Sequence, residues 1–143
     1  MEYRIAFDGG WVTLGTEVSV HRAGRSRGLR LQREPSGVWL ADDCEVEACR
    51  GALDVDLGVT PSTNTSAIRR LGLAVGASAE LTAAWVRFPD LVVQPLLQRY
   101  TRLGERTYRY ESLRDGVVTF HARLDVDGTG LVEHYEGLFD RVD

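Results

Sequence analysis

Residues 54–71 read DVDLGVTPSTNTSAIRRL. Val55 and Leu57 alternate with Asp54 and Asp56, the period of two that marks a strand with one apolar face. A hydroxyl-rich run follows, Thr60-Pro61-Ser62-Thr63-Asn64-Thr65, and after it the pair Arg69-Arg70. Two readings of the run stand side by side. Ser, Thr and Asn side chains satisfy neighbouring backbone groups in turns; the same groups also present donors and acceptors to a sugar or a polar headgroup. The two aspartates share one strand face. That face is solvated, or it is an inner network paired with arginine, or it holds a metal. The metal needs more carboxylates than this stretch supplies, which offers hydroxyls and an amide instead.

The period of two continues outward. Residues 3–7, 17–22 and 29–33 alternate before this stretch, 38–40 resume an apolar run, and the alternating 53–57 lead into it. After it come residues 68–75 and 80–87, joined by Gly76-Ala77-Ser78, then 107–113, 117–126 and 130–135. Residues 91–103 fit either period, and the extended reading is preferred; Pro89 breaks the strand before them. Asp127-Gly128 predicts a hairpin turn. No amphipathic run carries caps at both ends, so no long helix is expected. Short alternating segments bounded by Gly, Pro, Asp and Ser predict an all-β domain over residues 1–143, built as an antiparallel barrel, half-barrel or sandwich.

Composition narrows the function. The net charge is −4, so a general nucleic-acid binder is not expected. That all 17 basic residues are Arg qualifies this, since it reflects either base composition or carboxylate and phosphate recognition. Cys44 and Cys49 are too few for a disulfide framework and have no zinc-ligand spacing. The sequence MEYRIAFDGGWV at the amino end lacks a basic leader and an apolar core. No apolar run approaches the ~20 residues of a membrane span. A cytoplasmic protein without stable membrane insertion is expected. His21, His121 and His134 show no metal-ligand spacing. There is no GxSxG elbow, Gly-rich phosphate loop or HExxH pair, so no catalytic residue, metal or cofactor is assigned. Asp125-x-Asp127-Gly128 lacks the later ligands of a calcium loop. In the second half, Gln98-Arg99-Tyr100 and Tyr108-Arg109-Tyr110 place Tyr108 and Tyr110 on one strand face. Singly these residues suit a half-buried strand; together they suit the amphipathic wall of a cavity.

The opening stretch, then LQRYTRLGERTYRYES, then DVDGTGLVEHYEGLF, resemble three blocks in register of a bacterial family labelled putative glycolipid-binding. The likeness runs from about Gly37 to the end. It implies an antiparallel sheet curled into an incomplete barrel, similar to lipoprotein-carrier folds, whose concave side shelters an amphipathic ligand. The implied function is binding of a glycolipid or other amphiphile without catalysis. The candidate ligand-binding residues are Asp54, Asp56, Thr63, Asn64, Thr65, Arg69, Arg70, Gln98, Arg99, Tyr100, Tyr108 and Tyr110. Ser62 and Ser66-Ala67 stand where the family is more apolar, and the amino end is expected to be short against the family. Two alternatives remain: a homodimer pairing through an exposed sheet edge around a filled core, and a hydrolase using Asp54 or Asp56 with Arg69.

Overall fold

A computed structural model describes residues 1–142. Its twelve strands form two sheets. The first contains β1 (Glu2–Phe7), β2 (Thr13–Arg22), β3 (Arg25–Arg33), β4 (Trp39–Ala41) and β5 (Cys44–Glu45), in that order. The second contains β6 (Asp54–Leu57), β7 (Ser78–Arg87), β8 (Val92–Arg102), β9 (Thr107–Arg114), β10 (Val117–Val126), β11 (Val132–Tyr135) and β12 (Phe139–Asp140), again in chain order across the sheet. Every pairing is antiparallel except β6 with β7. A parallel pair needs a crossover, and here it is a helix, α1 (Ser62–Leu71).

The helix corrects the sequence reading at two points. The hydroxyl run is not an extended loop: Ser62 to Thr65 form the first turns of α1. Nor is residues 68–75 a strand; its first half finishes the helix. The helix starts directly after Pro61, whose fixed φ suits a helix entry. Thr60 supports the start, its Oγ1 accepting from the Ser62 N–H at 3.3 Å. Gly72 ends the helix at φ 54°, a left-handed position that favours glycine, and its N–H bonds to the Ile68 carbonyl. Ser, Thr and Asn are indifferent helix formers because their side chains compete for backbone partners. Tertiary contacts outweigh that here.

Those contacts show why the seven-stranded sheet curls. On one side of α1, Arg70 holds Asp54 on β6; on another, Thr65 Oγ1 accepts from the Val132 N–H at the start of β11. β6 and β11 lie near opposite ends of the sheet. A sheet that touches one helix at both ends must wrap around it, and the result is the expected half-barrel with α1 in its concavity. Ala67 and Ile68 of α1 pack there against Leu81, Ala83, Tyr100, Tyr108, Leu124 and Val126.

The other face of β6 and β7 forms a second core. Val55, Leu57, Ala84 and Val86 meet Val18, Leu29, Leu31 and Trp39 of the five-stranded sheet. Period-two alternation therefore serves both faces: even residues of β6 point to the helix and odd ones to the second core. Burial pushes the Cys49 thiol, part of this core, up to about 11. Cys49 and the exposed Cys44 are both free thiols. No helix among the described residues is long and apolar enough to cross a membrane.

Candidate functional site

Asp54 and Asp56 both face inward, so the solvated reading of this strand face is overturned. Asp54 is 2% exposed. Arg70 engages it bidentately, Nε–Oδ1 at 2.9 Å and Nη2–Oδ2 at 2.7 Å. The arginine-paired reading thus holds for Asp54. The partner comes from a helix rather than a neighbouring strand.

Asp56 is different. Its Oδ2 accepts from Gln98 Nε2 at 2.6 Å, and its Oδ1 from Thr63 Oγ1 at a long 3.4 Å. Among the described residues no cationic side chain pairs with it. Burial disfavours the charged form and pushes the carboxyl up to about 6, against the pull of the Gln98 and Thr63 hydrogen bonds. On the same face, Asn64 Nδ2 donates to the Tyr100 hydroxyl at 2.9 Å.

Beside Asp56 the half-barrel is unfilled. A cleft of about 330 Å³ opens between the amino end of α1 and strands β7 to β12. Asp56, Asn64, Tyr110 and Tyr135 supply polar groups, while Trp85, Leu96, Phe120, Leu138 and Phe139 supply apolar wall. Tyr110, Phe120 and Tyr135 form a triangle of rings with centroids 6.2 to 6.5 Å apart. The hydroxyls of Tyr110 and Tyr135 and the indole N–H of Trp85 make no hydrogen bond within the described residues. Among the described residues no enclosed side-chain nitrogen or oxygen lacks a partner, so these three donors open onto the cleft they line. Burial, with the nearby Asp56 charge, raises both tyrosines well above the ordinary phenol range. They remain donors at any physiological pH.

The apolar end reaches the surface. Phe120, Leu138 and Phe139 are exposed to between 37% and 56%, so the cleft has a polar floor and a greasy mouth. The sheet register builds the wall between them. Tyr100 pairs with Tyr110, and Tyr110 with Ala122; the small Ala122 leaves room for Phe120, two residues away on the same strand face, to approach the Tyr110 ring at 6.2 Å.

The remaining candidates separate into distinct places. Gln98 and Tyr100 lie beside Asp56 and Asn64 on the concave face. Thr65 is consumed by the Val132 N–H, and Tyr108 packs in the core, at the far end from the cleft, with Arg102 over its ring. Arg69 stacks on Trp11 at 4.5 Å and donates to the Thr129 carbonyl at 2.8 Å. Arg99, one residue off the concave alternation, sits between its cross-strand neighbours Glu80 and Glu111 on the other face. The structure does not bring Arg69, Arg70 and Arg99 together. The histidines take surface roles, His21 bonding Ser26 and His134 pairing with Asp140. No group of three or more metal-ligating side chains occurs among the described residues.

Trp85, Phe120, Tyr135 and Gly58 are among the site residues that the sequence did not single out. Gly58 matters because the Trp85 indole lies against it: a Cβ there would stand 2.8 Å from Trp85 Nε1. Gly58→Ala is expected to displace the ring into the cleft, costing about 1–3 kcal/mol of stability by overpacking. Fluorescence of Trp85 checks it, with Trp11 and Trp39 each replaced by Phe; an unchanged spectrum would show that the indole is not held against Gly58.

A family model described as "Putative glycolipid-binding" matches residues 1–141. The crystal structure of a DUF1089 family protein from Pseudomonas aeruginosa is similar, with 39% sequence identity and a TM-score of 0.89. The match covers 98% of this chain and 76% of that one. No curated protein matches the chain. With the family model spanning nearly every residue and the fold shared at this level, the chain belongs to the family described as putative glycolipid-binding.

Proposed function

We propose that the protein binds one amphipathic molecule with a hydroxylated, glycolipid-like head, and does so without catalysis. The observation that carries this reading is the cleft's division into a polar floor at Asp56, Asn64, Tyr110 and Tyr135 and an apolar mouth at Phe120, Leu138 and Phe139. A sugar ring offers hydroxyls to the floor and C–H faces to the aromatic wall. Size limits the claim. A cavity of ~150 Å³ holds one benzene ring, so about 330 Å³ takes a single ring and the first few methylenes of a tail. The rest of a chain would leave past Phe120 and Leu138.

A filled concavity would have favoured the homodimer module, and the open cleft argues against it. Hydrolysis of a glycoside ordinarily needs two carboxyls flanking the bond. Asp56 is the one carboxylate lining this cleft among the described residues, while Asp54 is committed to Arg70.

Calorimetric titration tests the reading. Octyl glucoside is expected to bind, and glucose to bind at least about tenfold more weakly, since each buried methylene contributes about 0.8 kcal/mol. No binding of octyl glucoside, together with no amphiphile in a solvent extract of the purified protein, would contradict it.

A further inference from the structure

The structure treats its least exposed carboxylates unequally. Asp54 has Arg70 at 2.7 Å, and Glu111 has Arg99 at 3.2 Å and Arg109 at 3.4 Å. Asp56, half-buried on the concave side, receives no cation among the described residues, although the chain carries 17 arginines. Among the described residues its side-chain partners are the neutral Gln98 and Thr63. A carboxylate accepts about four hydrogen bonds, so half of its capacity remains, and it lines the cleft. The ring triangle of Tyr110, Phe120 and Tyr135 lines the same cleft. An ionised carboxylate with spare acceptor sites beside aromatic faces is suited to an ammonium group, which donates to the first and is attracted by the second.

We infer that the head recognised at Asp56 carries a protonated amine beside its hydroxyls, as an amino-sugar or amino-alcohol amphiphile does. This rests on the amphiphile reading above. The ammonium supplies the counter-charge that the fold withholds from Asp56, while the Tyr110 and Tyr135 hydroxyls and the Trp85 N–H remain for neutral oxygens of the ligand. Arg114, the one cationic side chain lining the cleft, is exposed and makes no ion pair among the described residues. The titratable groups that face Asp56 are Tyr100, Tyr110 and Tyr135, all neutral there, with Asp54 next along the same face of β6.

The test compares octyl glucoside with its 2-amino-2-deoxy counterpart at pH 7. The amine is expected to bind at least about tenfold more tightly, a difference of about 1.4 kcal/mol. Asp56→Asn, which keeps the side-chain shape, is expected to bring the two within about twofold of each other. The wild-type chain provides an independent check. At pH 5 the amine stays charged while Asp56 takes up its proton, so the preference should shrink there too. Equal or tighter binding of octyl glucoside would overturn the amine and leave the amphiphile reading intact. A preference that survives both Asp56→Asn and pH 5 would place the attraction in the overall acidic charge and also overturn it. Binding of neither compound would remove the amphiphile reading itself.

Discussion

Arg70→Ala is expected to destabilise the protein by about 3–5 kcal/mol, the largest effect of any single polar substitution in the structure. Asp54 is buried at 2% exposure and Arg70 is its only cationic partner among the described residues. Truncating the arginine strands a carboxylate between β6 and α1, where the curled sheet meets the helix. Much of the cost is therefore the uncompensated charge rather than the lost attraction. That distinction can be measured. Replacing both partners by apolar residues of similar volume, Asp54→Leu with Arg70→Met, should recover most of the stability, because well-packed apolar groups often match a buried ion pair. Urea unfolding of the two single variants and the double variant checks it. A single-variant cost below about 1 kcal/mol would mean that the pair behaves like a surface salt bridge. The exposed Arg50–Glu47 pair is the internal reference at that lower level.

The second large effect has the opposite sign. Asp56→Asn is expected to stabilise the protein at pH 7.5 and to leave it nearly unchanged at pH 4. The carboxyl rises from an ordinary 3.8 to about 6 in the folded chain because burial disfavours its charge. Between those two pH values the folded state binds more protons than the unfolded state, so stability falls as pH rises through that window. Above it the ionised group costs the fold up to about 3 kcal/mol. Asparagine is neutral throughout and can still accept from Gln98, so it escapes this cost. Thermal unfolding of both proteins across pH 4 to 8 reads the difference. An Asn variant less stable than the wild type at pH 7.5 would show that the ionised carboxylate is well compensated. If the variant is more stable but binds amphiphile less well, Asp56 is a site that trades stability for recognition.

How far the sequence could be read follows from these same residues. Period-two alternation revealed β7, β9 and β10 and the antiparallel all-β class, because each strand is apolar on at least one face; the curl came from the family resemblance. It also put Asp54 and Asp56 on a common face, and Tyr108 and Tyr110 on another. Alternation could not say which way a face points when both sides of β6 are covered, so the inward orientation of the two aspartates was invisible. The helix was concealed by its composition: a Thr-Asn-Thr-Ser surface reads as a turn until Asp56, Tyr100 and the Val132 N–H are known to satisfy it. Its punctuation was nevertheless present, Pro61 before the first turn and Gly72 after the last. The arginines were the least legible. Arg69, Arg70 and Arg99 look alike in the sequence, yet they stack on Trp11, neutralise Asp54 and bridge two glutamates on the opposite face. Phe120 and Tyr135 joined the site only through the register of β9 to β11, which depends on long-range pairing.

The three tryptophans offer the most direct measurement of the central claim, that an amphiphile enters the cleft above Asp56. Their indole N–H groups report on separate places: Trp85 lines the cleft, Trp39 donates to the Ala52 carbonyl in the second core at 3.0 Å, and Trp11 lies beneath Arg69. In a heteronuclear NMR titration with octyl glucoside below its micelle concentration, the Trp85 indole resonance should shift progressively to saturation while those of Trp39 and Trp11 stay in place. A Trp85 signal that does not move, with or without shifts at the other two, would contradict the account.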